Sequence, residues 1–105
     1  MSRPYLSLDV IDLYVPEMRR RGVSEVARSQ RGFLTAYRKA NGDPDALSPE
    51  WRAKREGFIS RHMAQVRERS EPLMDAKGKP TRRHLALIAW AYSPLPLDFV
   101  ARSGT

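Results

Sequence analysis

The chain has 105 residues, of which 41% are hydrophobic, so it is long enough for one domain with a modest core and too short for two. Its 19 Lys and Arg residues outnumber its 12 Asp and Glu residues, and the formal charge of +7 favours polyanionic partners. Cysteine is absent, which excludes disulfides and cysteine-ligated zinc, and no apolar run approaches the roughly 20 residues that span a bilayer. We therefore expect a soluble, cytoplasmic protein without membrane contact.

The N-terminal third predicts short helices interrupted by a proline. Ser7 caps a first helix over residues 7–15, and Pro16 ends or kinks that helix and suits the start of a second one. Gly22 closes the second helix, because glycine readily adopts the left-handed backbone found at helix C-termini. Residues 17–39 form the larger basic block, with cations at Arg19, Arg20, Arg21, Arg28, Arg31, Arg38 and Lys39.

Residues 23–39 have the outline of a helix-turn-helix, with a basic turn between two short helices. The spacing is unfavourable, because Gly32 follows Ala27 at a greater distance than the turn glycine of that motif does. We therefore favour an ordinary short helix that packs Phe33 and Tyr37 into the core. Recognition of a DNA groove, or stacking of bases on these two rings, is the weaker interpretation.

The strongest helix signal lies in the middle of the chain. Ser48 is a good N-cap, Pro49 suits the first helical position, and the helix continues to about Arg69. A stripe at helical spacing predicts the buried face, at Trp51, Arg55, Phe58, Ile59, His62, Met63 and Val66. The other surface is either a phosphate track or a solvated face with ion pairs such as Arg52 with Glu56, and it carries Arg52, Lys54, Arg61, Arg67 and Arg69.

A basic turn leads into an apolar segment near the C-terminus. Thr81 caps a final helix that is apolar on nearly every side, and residues 73–80 before it have the composition of an exposed turn or short hairpin. Two arginines at a helix N-terminus oppose the helix dipole at a cost of a few tenths to about 1 kcal/mol per charge, so we expect an anion such as phosphate there. The candidate contacts are Lys77, Lys79, Arg82, Arg83 and His84.

Catalysis is the weaker hypothesis for this chain. His62 and His84 are potential general acids or bases near neutral pH, but His62 lies on the predicted buried stripe and His84 at a helix start. The carboxylates of the turns show no metal-ligand spacing, and no phosphate-binding loop or nucleophile motif is present. We predict a protein that is not an enzyme and that binds neither a metal nor a cofactor.

Three segments share a pattern with known sequences. They read Val-Ala-Arg-Ser-x-Arg-Gly-Phe-Leu-Thr-Ala-Tyr-Arg at 26–38, Trp-Arg-x-Lys-Arg-x-x-Phe-Ile-x-Arg-His-Met-Ala-Gln at 51–65, and Pro-Thr-Arg-Arg-His-Leu-Ala-Leu-Ile-Ala-Trp-Ala-Tyr-Ser-Pro at 80–94. Residues 23–94 thereby resemble a small uncharacterised domain family found in phage and large-virus genomes, which carries no assigned activity. The resemblance implies a viral or mobile-element origin, with the host cytoplasm or the virion as location.

The sequence thus predicts a mainly α fold, a small single-domain helical bundle over residues 1–105 with an extended tail at 94–105. The leading hypothesis is a nucleic-acid-binding protein that contacts backbone phosphates, of DNA rather than RNA, from one cationic surface centred at Thr81. The alternative is a protein-interaction or virion-associated factor, either a capsid component or an inhibitor of host machinery. In that alternative the apolar residues of 94–100 form a docking arm, unless they cover the protein's own core.

Overall fold

Helices account for most of the part of the chain that the computed structural model describes, residues 3–95 and Leu97. They are α1 (Leu8–Arg21), α2 (Glu25–Arg28), α3 (Phe33–Lys39), α4 (Pro49–Arg69) and α5 (Arg82–Ile88), with a 3₁₀ helix at Pro44–Ala46 before α4. The described residues contain no β-strand, and none of their helices combines the length and apolar character needed to cross a bilayer. The predicted mainly α fold is confirmed.

Capping residues set the starts of three helices. Ser7, Ser48 and Thr81 adopt extended backbone, and each side-chain oxygen accepts a hydrogen bond from the N–H three residues later. Gly22 ends α1 in the left-handed region, with φ at +65°. These boundaries lie where the capping signals of the sequence predict them.

The predicted break at Pro16 is wrong, because α1 continues through this residue as one helix of 14 residues. Proline lacks the N–H that would bond to the preceding turn, so the helix loses one backbone hydrogen bond there. The face formed by Ile11, Tyr14 and Met18 is continuous across Pro16 and is buried in the core. Packing of that face outweighs the local preference of proline to interrupt a helix.

The core lies around α5, which packs against α1 and α4, and side chains of α3 complete it. The side chains of Leu85, Leu87 and Ile88 in α5 are fully buried, which places this helix at the centre of the molecule. Phe33 and Tyr37 of α3 are buried beside it, as expected from their spacing. Neither of these two rings is therefore available to stack on a base.

Close contact between α2 and α3 depends on Gly32. An added Cβ at this position would lie 2.0 Å from the carbonyl oxygen of Val26 and 2.3 Å from that of Ala27. The segment in which the sequence suggested a helix-turn-helix thus forms the one-turn helix α2, which packs directly against α3. The α3 residues Phe33, Leu34 and Tyr37 face the core.

A buried arginine joins the N-terminal segment to the end of α5. Arg55 is 0% exposed and donates hydrogen bonds of 2.7–3.0 Å to four carbonyl oxygens, those of Arg3, Pro4, Trp90 and Ala91. Its guanidinium carbon lies 3.6 Å from the ring centroid of Tyr5, and its Nη1 lies 2.7 Å from the carboxylate of Glu56. Glu56 also forms an ion pair with Arg3 at 2.9 Å. The sequence had suggested Arg52 as its partner instead. We call this arrangement the Arg55 clamp.

The turn before α5 and the segment after it complete the described chain. A single antiparallel bridge joins Met74 to Pro80, so the predicted hairpin is reduced to a turn closed by one bridge. Leu97 is 7% exposed and belongs to the core, which agrees with the alternative that this segment covers the protein itself. Pro96 and residues 98–105 of the predicted tail lie outside the described residues.

Candidate nucleic-acid interface

The C-terminal end of α1 meets the turn that precedes α5. Arg21 donates from Nη1 to the carbonyl of Pro80 at 3.2 Å, and Arg82 donates to the carbonyl of Arg21. Nearby, the guanidinium of Arg28 donates to the carbonyl of Val23 at 3.1 and 3.2 Å. These contacts bring cations from distant parts of the sequence to one place. We define the basic edge as the last turn of α1 together with Arg28, the turn before α5 and the first residue of α5, and its cations are Arg19, Arg20, Arg21, Arg28, Lys77, Lys79 and Arg82.

Three carboxylates accompany the seven cations of the basic edge. Glu17 accepts hydrogen bonds from Arg20 at 2.5 and 3.0 Å, which hold the pKa of Glu17 below its usual value. Asp75 accepts the backbone N–H groups of Lys79 and Lys77, both at 2.9 Å, and these bonds lower the pKa of Asp75. The third carboxylate is that of Glu25, beside Gly22. The edge therefore keeps a strong excess of positive charge.

The two arginines at the start of α5 find their partners within the molecule. Arg83 donates to both carboxylate oxygens of Glu71 at 2.7 and 3.0 Å, and its Nη1 lies 2.8 Å from Nδ1 of His62. Only 17% of the Arg83 side chain is exposed. Arg82 reaches the carbonyl end of α1, where the helix dipole is negative. The cost of placing both charges there is thus offset internally and requires no bound anion, which corrects our expectation.

His84 is also removed from the predicted set of phosphate contacts. It is fully buried, with Nδ1 2.9 Å from the carbonyl oxygen of Leu73 and Nε2 2.7 Å from Oγ of Ser93. Burial lowers the pKa of His84 and so favours its neutral form. Its role is structural, because it joins the turn before α5 to the segment after it.

The remaining predicted cations lie on α3 and the loop before it. Arg38 forms an ion pair with Asp12 of α1, and this hydrogen bond raises the pKa of Arg38. Arg31 and Lys39 line a cleft of about 210 Å³ together with Trp51. The single cationic surface that we predicted stays a prediction.

Sequence reasoning missed a second groove beside the tryptophans. The ring centroids of Trp51 and Trp90 are 6.1 Å apart, and Nζ of Lys54 lies 5.1 Å from the centroid of Trp51. Next to Trp90 is a groove of about 410 Å³, which we call the indole groove, lined by Ala53, Lys54, Gly57, Phe58, Arg61 and Trp90. The sequence signal for it is Gly57, which leaves space between two cations on one side of α4.

His62 and Glu71 lie in a third cleft, of about 380 Å³, at the start of α5. Burial and the positive charges of Arg83 and Arg61 lower the pKa of His62. The same Arg83 pairs with Glu71, so both potential acid–base groups are engaged in one structural network. Within the described residues, no group of three His, Asp or Glu side chains is arranged to hold a metal ion.

Comparison with known proteins adds no family to these observations. No protein-family model matches the chain, and no curated protein matches it significantly. The resemblance to a family from phage and large-virus genomes stays a prediction.

Proposed function

We propose that the protein binds nucleic acid, DNA in the first place, through phosphate contacts made by the basic edge. The observation that supports this proposal most is the pair of hydrogen bonds that joins α1 to the turn before α5, from Arg21 to Pro80 and from Arg82 to Arg21. Each arginine uses part of its five-donor guanidinium in these bonds and keeps other N–H groups for a ligand. These two cations are thus held in position before any ligand arrives.

The charge of the basic edge suits a polyphosphate better than a single anion. Arg19, Lys77 and Lys79 make no ion pair among the described residues, and the surface extends from the last turn of α1 to the start of α5. Neutralising several phosphates releases condensed counterions, so binding would weaken steeply with salt. Such contacts position a protein on a duplex without reading its sequence. The proposal assigns the protein no catalytic step.

Fluorescence anisotropy of a short labelled duplex, titrated at several NaCl concentrations, tests the basic edge. We expect Arg19→Ala/Lys79→Ala to weaken binding about tenfold, to the same extent for unrelated sequences, and to reduce the salt slope by about 2. Both side chains are exposed and donate no hydrogen bond within the described structure, so the fold should persist. Arg83 is unsuitable for this test because its removal would take both of its hydrogen bonds from Glu71 and leave that carboxylate only the 3.7 Å contact with Arg69.

Arg52→Ala/Arg67→Ala is the matched control for this double variant. It removes the same charge from exposed positions of α4 that form no ion pair with any other described residue. We expect it to weaken duplex binding no more than about threefold. Equal losses in the two double variants, or no binding of wild type at about 50 mM salt, would contradict the proposal.

The alternative of a protein-interaction or virion-associated factor has less support. Leu97, which belongs to the proposed docking arm, packs into the protein's own core. A macromolecular complex that resists high salt would favour this alternative over nucleic-acid binding.

A further inference from the structure

We propose that the indole groove binds single-stranded nucleic acid, with an unpaired base against its aromatic wall and backbone phosphates on Lys54 and Arg61. The proposal rests on the proposed function for the class of ligand, but it concerns a different surface and a different form of the polymer. Three features support it: the shape of the groove, its two cations without a carboxylate partner among the described residues, and its aromatic wall.

The shape of the groove follows from the spacing of residues along α4. Lys54, Gly57 and Arg61 follow one another on one side of the helix, and about 10 Å of helix axis separates the two cations. Gly57 has no side chain to fill the space between them, and a Cβ there would meet only Nη1 of Arg61, at 3.4 Å. The volume of about 410 Å³ is in the range of small-molecule sites.

The charge in the groove is not neutralised by the protein. Lys54 and Arg61 have no carboxylate oxygen within 4.0 Å among the described residues, although Glu50 precedes Lys54 by one turn and Glu68 follows on the same helix. On the other side of the tryptophan pair, the cleft at Trp51 adds two more cations, Arg31 and Lys39, that make no ion pair there. A chain of phosphates crossing the tryptophan pair would meet positive charge on both sides.

The aromatic wall presents ring edges to the groove. Trp90 is stacked by Phe33 at 4.9 Å and by Phe58 at 4.6 Å, and Phe58 is stacked in turn by His62 at 4.0 Å. Since the faces of Trp90 and Phe58 are occupied, a base would pack edge-to-face against them. Bases in a duplex are stacked on each other and cannot reach such a wall, which selects for a single strand.

Tryptophan fluorescence reports on this site, because Trp90 lines the groove and Trp51, the second of the two tryptophans of the chain, lies beside it with the ring centroids 6.1 Å apart. Titration with a short oligothymidylate should quench the emission, whereas an abasic oligomer of equal length should bind about tenfold more weakly. Lys54→Ala/Arg61→Ala should weaken binding of the oligothymidylate about tenfold, and Arg52→Ala/Arg67→Ala no more than about threefold. Gly57→Leu, which fills the groove without a change of charge, should abolish the quenching and leave duplex binding intact.

Two outcomes overturn the proposal. One is equal affinity for the oligothymidylate and the abasic oligomer, and the other is unchanged quenching by the oligothymidylate in Gly57→Leu. The two proposals can fail separately: Arg19→Ala/Lys79→Ala should weaken duplex binding about tenfold and keep the quenching. Duplex binding without quenching rejects the groove alone, and quenching without duplex binding rejects the basic edge alone.

Discussion

Arg55 is an exception to the rule that the buried face of a helix carries apolar side chains. The guanidinium group carries its charge into the core because four backbone carbonyls and Glu56 accept its N–H groups. Burial lowers the pKa of Arg55, and the neighbouring Tyr5 and Glu56 oppose that effect. A buried charge is tolerated only when its hydrogen bonds are satisfied, as they are here.

We expect Arg55→Met to lower the free energy of unfolding by about 3 kcal/mol or more, because it leaves buried carbonyl oxygens without donors. Urea denaturation followed by circular dichroism measures the change. Arg52→Met, at an exposed position of the same helix, should change stability by no more than about 0.5 kcal/mol. Similar values for the two variants would show that the clamp contributes little.

At the scale of helices, α2 and α3 approach each other closely at Gly32. Gly32→Ala should destabilise the protein by about 2 kcal/mol or more, because the new Cβ would overlap backbone carbonyls that cannot move independently. Gly57→Ala is the paired variant, and it should be neutral or stabilise by up to about 1 kcal/mol, since it lies inside α4 next to a flexible side chain. Thermal denaturation of both variants tests this pair, and a neutral Gly32→Ala would contradict the packing.

The helices also show which parts of the fold can be predicted from the sequence. Caps at Ser7, Ser48 and Thr81 are local signals, since the side chain bonds to an N–H three residues away, and they predicted the helix starts correctly. The break predicted at Pro16 was wrong because a buried face shared with other helices decided the outcome. Tertiary packing of this kind is invisible in a local pattern.

The candidate site was predicted less completely than the fold, for the same reason. Clustering of cations in the sequence identified most of the basic edge, but not that Arg83 pairs with Glu71 or that His84 is buried. Helical periodicity assigned Trp51 to a buried stripe and Lys54 to the opposite side. The structure places these two residues in contact at a partly exposed groove. Which cations remain free depends on contacts between segments that are distant in sequence.

For the whole molecule, proton uptake should limit stability in mild acid. Burial lowers the pKa of His84 and of His62, so the unfolded chain binds more protons than the folded protein below their usual value of 6.5. Stability should therefore fall as the pH decreases from about 7 to 5, and further below the usual value of 4.5 for Glu71, whose pKa Arg83 lowers. Each protonation also adds positive charge to a chain that already carries +7.

Urea midpoints at about pH 7 and pH 5 measure this dependence. We expect a clear decrease for the wild type and a smaller decrease for His62→Gln, which keeps a polar side chain beside Arg83 and cannot take up a proton. Arg52→Ala serves as a control that leaves both histidines unchanged. A midpoint that is the same at the two pH values would contradict the neutral, buried state of the histidines.

The Arg55 clamp also joins parts of the backbone that are far apart in the sequence. It connects three stretches of backbone, residues 3–4, residue 55 and residues 90–91, so its loops enclose nearly the whole described chain. Bringing such remote stretches together carries a loop-closure entropy that short-range helix contacts avoid. We expect the guanidinium to keep its hydration shell until residues 3–4 and 90–91 dock on it and replace that water with their carbonyl oxygens.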